Sequence, residues 1–178
     1  MLDGREEVAD ATLLDFWRWA YSDLRDNVAR GPFAEWIVGR SLGCLARPRA
    51  SWDNYDLEWN GHPIEVKSAA YLQAWPTRRL SRIVFGHLRR LAWDAETNTW
   101  DEQPSYRAEI YVFAVETATD HASFDPLDLG QWCFWVARRD DLARLGQDSV
   151  SLGRVDEIGV GPVGYRELRS AVERAIST

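Results

Sequence analysis

Asp56, Glu65 and Lys67 have the types and spacing to handle a divalent cation and a phosphate. Between the two acids lies Asn60-Gly61, a pair that readily takes positive φ and predicts a two-residue hairpin turn. With those residues as the turn, Trp59 faces His62, Leu57 faces Ile64 and Asp56 faces Glu65. Side chains alternate along a strand. Leu57, Trp59, Ile64 and Val66 therefore share an apolar face, and Asp56, Glu58, Glu65 and Lys67 share the opposite one. Directly opposed carboxylates, with Cβ atoms about 5 Å apart, repel unless one is protonated or a positive group lies between them. Mg²⁺ or Mn²⁺ would meet that need through oxygen ligands, leaving coordination positions for water and a substrate phosphate.

Lys67 is the only lysine among 21 basic residues, the other 20 being arginine. An ammonium is a compact point charge, whereas a guanidinium is a bulky fork. A chain that uses arginine everywhere else but lysine beside paired carboxylates points to a site where the fork would not serve. Glu35 is a further acid of interest. At helical spacing it shares a face with Val38, Gly39 and Leu42, so it lies at the edge of a core or reaches into a site.

The elements that must hold these residues can be read along the chain. Thr12 and Asp15 fit a capping box for a helix over residues 12–24, with Leu13, Phe16, Trp17, Ala20, Tyr21 and Leu24 at helical spacing. Gly31-Pro32 punctuates, and Pro32 suits the first turn of a second helix ending near Gly43. Strands are predicted over residues 53–59 and 62–68, and again over 110–115 and 131–137, where the residues are apolar, β-branched or aromatic. Residues 80–92 fit either a helix or a strand, and 93–105 read as a polar loop. A short helix is expected over 140–145 and a closing helix over 163–176. Helices alternating with strands predict a mixed α/β sheet with helices packed on it, in one domain spanning 1–178.

Composition narrows the classes. Two cysteines, Cys44 and Cys133, provide neither a disulfide framework nor a structural zinc site. The charged start, Met1-Leu-Asp-Gly-Arg-Glu-Glu, lacks the apolar core of a signal peptide. The longest apolar run is far short of the roughly 20 residues that span a bilayer, so a cytoplasmic protein without a membrane partner is expected. Gly159-Val-Gly-Pro-Val-Gly164 matches a dinucleotide-binding pattern, but no βαβ unit can follow it, and it reads as a loop. Of the ten tryptophans, Trp17, Trp36, Trp132 and Trp135 are expected in the core. Trp52, Trp75, Trp93 and Trp100 flank loops near the acids and are expected to anchor them, the alternative being that they stack on exposed bases.

The net charge of -7 disfavours a polyanionic partner on its face. Its order along the chain does not. Residues 36–52 carry three arginines and no acids, and residues 66–93 carry Lys67 with Arg78, Arg79, Arg82, Arg89 and Arg90, again with no acids. Between these basic arms lie Asp53, Asp56, Glu58 and Glu65 with no base.

Asp56 followed by Glu65-Val66-Lys67 resembles the PD-(D/E)XK nuclease superfamily, the restriction-endonuclease-like fold. In that family an Asp on one strand is followed by an acid-x-Lys on the next, and many members add a glutamate on the preceding helix, the place Glu35 occupies. The resemblance covers about residues 31–116, with 117–178 peripheral. It implies a mixed central sheet with a core hairpin flanked by helices. Tyr55 stands where the family often has proline. Gln73 lacks the tyrosine partner of the exonuclease branch, since Thr77 holds that place, so the endonuclease branch is favoured.

The implied activity is Mg²⁺- or Mn²⁺-dependent hydrolysis of DNA phosphodiesters. In it Asp56, Glu65 and Glu35 hold metal and Lys67 positions water and offsets transition-state charge. Gln73, Arg78, Arg79 and Arg82 are expected on the DNA, and cutting both strands would call for a homodimer. The alternative is a nuclease-like module that grips nucleic acid or protein without cutting.

Overall fold

The computed structural model describes residues 11–51, 53–94 and 96–177. The N-terminal stretch read above for a signal peptide, and Trp52, lie outside the described residues. The helices are α1 (Leu13–Tyr21), α2 (Asn27–Leu42), α3 (Arg139–Leu145), α4 (Leu152–Ile158) and α5 (Tyr165–Ser177). The strands are β1 (Leu57–Trp59), β2 (His62–Ala70), β3 (Val84–Phe85), β4 (Trp93–Asp94), β5 (Thr99–Trp100), β6 (Ile110–Glu116), β7 (Trp132–Arg138), β8 (Val150–Ser151) and β9 (Val160–Val163). Five strands form one mixed sheet in the order β1-β2-β6-β7-β9, in which only the β2–β6 pair is parallel.

β6 is central, and all seven of its residues are buried, as an apolar strand covered on both faces requires. On one face, Ile64, Val66, Ile110, Val112 and Phe134 pack against Ile37, Val38 and Leu42 of α2 and Leu168 and Val172 of α5. On the other, Tyr111, Phe113, Trp135 and Ala137 pack against Phe85, Leu88, Leu142, Val150 and Val155. β6 ends on Glu116, which is fully buried. Burial pushes its carboxyl up to about 7. Glu116 Oε1 accepts from the Ala118 N–H at 3.1 Å. Oε2, and Nε and Nη1 of nearby Arg30, are buried without a hydrogen-bond partner among the described residues.

Several expectations need correction. The second helix begins at Asn27, not Pro32, because the Asp26 side chain accepts from the Val28 N–H at 2.8 Å and caps it there. It ends as expected, on Gly43 with φ 76. α1 begins with the predicted Thr12–Asp15 capping box but stops at Tyr21 and buries none of its residues. Trp17 and Trp36 are about half exposed, not core. Residues 93–105 contain the small β4–β5 ribbon, and residues 80–92 contribute β3 and no helix. The glycine-rich 159–164 segment is mainly strand β9, paired with β7 at the sheet edge, not a loop. Its glycine is there for packing. A Cβ on Gly161 would come within 2.7 Å of the Phe134 carbonyl oxygen and of the Trp135 ring. No helix among the described residues is long and apolar enough to cross a membrane.

Candidate functional site

The hairpin has the register that its turn dictates, with Leu57 opposite Ile64, Glu58 opposite Pro63 and Trp59 opposite His62. Asn60 and Gly61 both take positive φ. The apolar face is the expected one, since Trp59, Ile64 and Val66 belong to one core cluster and the partly buried Leu57 packs against it. The strand expected over 53–59 is shorter, starting only at Leu57. Asp56 is therefore not a ladder partner of Glu65. Its N–H donates to the Ile64 carbonyl at 3.1 Å, and its Oδ2 accepts from the Val66 N–H at 2.8 Å. The aspartate side chain thus takes the place a backbone carbonyl would fill beside β2.

The three acids still meet electrostatically. Glu65, on the same strand as Lys67, is only 4% exposed at its side chain. Its carboxyl is pushed above the usual range by burial first and by the neighbouring Asp56 charge second, while Lys67 and Arg90 pull it down. Glu35 reaches in from α2. Its carboxyl is also raised by burial, opposed by the Arg49 hydrogen bond and reinforced by the charges of Asp56 and Glu65. Residues far apart in sequence thus converge where β1 stops short and leaves β2 open.

Every acid in the cluster has a donor. Lys67 Nζ lies 2.8 Å from Glu65 Oε1, and Arg90 Nη2 pairs with Glu65 Oε2. Arg49 grips Glu35 with two nitrogens, Nη2 at 2.8 Å from Oε1. Asp53, the other aspartate of the acidic stretch, is bound by Arg47 at 3.0 Å and stays out of the cluster. Among the described residues no group of three or more His, Cys, Asp or Glu side chains converges closely enough to hold a metal ion. The carboxylates of Asp56, Glu65 and Glu35 are oxygen donors of the hard type that Mg²⁺ and Mn²⁺ prefer, although both Glu65 oxygens and Asp56 Oδ2 are already engaged within the chain.

Arg49 and Arg90 are the cluster residues that sequence reasoning did not single out. The charge order contained both, one in each basic arm, but only the fold shows which arginines turn inward. Gln73, Arg78, Arg79 and Arg82, expected on DNA, lie past the end of β2 in the loop leading to β3. Glu65 is five residues before that end, or about 17 Å along the strand. Gln73 Nε2 is tied to Ser81 Oγ at 2.8 Å. Arg78 and Arg79 line a separate small cavity with Thr119, Asp120 and His121.

A larger cavity of about 590 Å³ adjoins the acid cluster, lined by Asn54, Arg90, Leu91, Trp93, Trp100 and Arg107 among others. Trp93 and Trp100 are cross-strand partners in the β4–β5 ribbon, with ring centroids 5.3 Å apart. The chain matches no family model, no curated protein and no solved structure.

Proposed function

We propose that the cluster of Glu35, Asp56, Glu65 and Lys67 performs Mg²⁺- or Mn²⁺-dependent hydrolysis of DNA phosphodiesters, as the PD-(D/E)XK resemblance implies. The observation that carries this reading is the placement of the chain's single lysine. Lys67 is 16% exposed at its side chain and bonded to Glu65, whose carboxyl feels the charge of Asp56 and is in turn felt by Glu35. A helix supplying Glu35, a hairpin supplying the motif and a parallel neighbouring strand support the restriction-endonuclease-like form of the fold.

Asp56 and Glu65 would hold the cation, with Glu35 supporting it. Bound there, it would supply Lewis acidity toward a phosphoryl oxygen and lower the pKa of water. Lys67 orients the attacking water and offsets the charge that grows on the phosphoryl oxygens. Asp56 also fixes the strand edge through Val66, so the chain holds its donors in place before any ligand arrives. Arg90 is bonded to Glu65 and also lines the adjoining cavity.

One observation favours a second reading, a nucleic-acid or protein-binding module that does not cut. Three cations already pair with two of the three carboxylates, Arg49 with Glu35 and both Lys67 and Arg90 with Glu65, so the charge of Glu35, Asp56 and Glu65 balances without an added ion. A nicking assay on supercoiled plasmid separates the two readings. Cleavage with Mg²⁺ or Mn²⁺ that EDTA stops, and that falls a hundredfold or more in Lys67→Ala (about 3 kcal/mol of transition-state stabilisation), supports the nuclease. DNA retention with no cleavage under either metal supports the module.

A further inference from the structure

We propose that the 590 Å³ cavity beside the acid cluster takes an unpaired nucleobase, so that the strand bound here is single-stranded or locally opened. This rests on the phosphodiester reading above and specifies its substrate.

The volume is in the range of sites that enclose a small planar ligand. Its apolar wall is Trp93, Trp100 and Leu91, which remain 39%, 55% and 44% exposed. The two indoles come from a ribbon with only two residue pairs, too short to be stable by itself. Their rings are tilted 52° to one another, which leaves ring surface for a third aromatic to stack on. Polar groups complete the lining, among them Asp53, whose carboxylate is paired with Arg47. Asn54 has an amide with no hydrogen-bond partner among the described residues, and an amide can both donate to and accept from a base edge. Arg107 is anchored by Asp101 and donates from Nε to the Arg90 carbonyl at 3.3 Å, which fixes that wall.

Arg90 joins the cavity to the acids, because it lines the first and bonds Glu65 of the second. A base stacked on the indoles therefore brings its adjoining phosphate toward Arg90, and so toward Glu65 and Lys67. Arginine is suited to that handover, since its fork matches phosphate and carboxylate alike. A paired base offers no face for the indoles because its neighbours in the duplex cover both. Drawing it out adds the cost of unstacking and unpairing, which a single strand avoids.

The test is fluorescence anisotropy with a labelled single-stranded oligodeoxynucleotide in EDTA, so that no cleavage intervenes. It is compared with an abasic strand of equal length, a duplex of the same sequence and a free mononucleotide as competitor. The intact strand is expected to bind about tenfold or more tighter than the abasic strand or the duplex. Trp93→Ala and Trp100→Ala should each remove most of that preference without changing the melting temperature, and Trp100→Phe, which keeps a ring, should retain part of it. Equal binding of intact and abasic strands by the wild type overturns the proposal. So does a preference that survives in folded Trp93→Ala and Trp100→Ala, or a mononucleotide that competes as strongly as the strand. Base-dependent binding by a protein that never cleaves removes the nuclease reading and leaves the pocket. Cleavage without base dependence removes the pocket alone.

Discussion

Replacing Glu116 with glutamine should change how stability depends on pH, by an amount that follows from its burial. The carboxyl stands at about 7 in the fold against an ordinary value of 4.5. A raised folded value means the native state binds the proton more tightly than the unfolded chain does. That stabilisation is complete below the unfolded value and is lost as pH rises through the folded one. At 1.36 kcal/mol per unit, the full loss is about 3 kcal/mol. Glutamine has nearly the same shape and stays neutral, so Glu116→Gln mimics the protonated state at every pH. Other buried acids titrate equally in both proteins, and the difference between them isolates this site. Urea denaturation at about pH 5 and about pH 8.5 should show the variant gaining 2–3 kcal/mol on the wild type. With a slope of about 2 kcal/mol per molar, this is a relative midpoint shift of about 1 M. A difference constant to within about 0.5 kcal/mol would refute the reasoning. It would mean that Arg30 holds Glu116 ionised as a matched buried pair.

Removing Arg49 should leave the buried Glu35 carboxylate without its donor. Arg49→Ala is expected to lower stability by about 2 kcal/mol in urea melts, and by more at alkaline than at acidic pH. Gly161→Ala should cost about 1–3 kcal/mol by overpacking against the Phe134 carbonyl and the Trp135 ring, read as a drop in melting temperature. Mn²⁺ should raise the melting temperature more as pH increases, because the raised carboxyls of Glu35 and Glu65 must lose their protons before binding metal. Calorimetric titration at two pH values checks that directly. Asp26→Ala should fray the start of α2 and cost about 1 kcal/mol.

The hairpin was the most legible part of the chain. A two-residue Asn-Gly turn leaves one register, and alternation then assigns faces, so Leu57 to Ile64 and the apolar face follow from local chemistry. The buried strands β6 and β7 were legible because each is a short apolar run. What sequence could not give was the point at which a strand stops. Asp56 leaves the ladder because its own carboxylate outcompetes a backbone carbonyl for the Val66 N–H, a tertiary choice with no local signature. Glu35 was placed beside the acids only through the family resemblance, since its helical face allowed both a core edge and a site. Arg49 and Arg90 were visible as charge but not as partners, because their long side chains can turn either way. The β4–β5 ribbon was missed since two-residue strands carry no periodicity, and Trp17 and Trp36 misled because an apolar run does not reveal whether anything covers it.

The early end of β1 has a further consequence, for solubility. β1 covers only the first three residues of β2, so from Glu65 onward β2 has β6 on one side and lacks a β1 partner on the other. Unpaired strand edges invite pairing with other chains wherever they are accessible. Asp56 occupies the Val66 N–H, and Lys67 sets a charge at the same stretch, so a foreign strand would meet a blocked donor and a cation. Asp56→Ala would therefore expose an adhesive edge as well as remove an acid. Asp56→Asn, whose side-chain oxygen can still accept from Val66, keeps the edge closed while removing the charge.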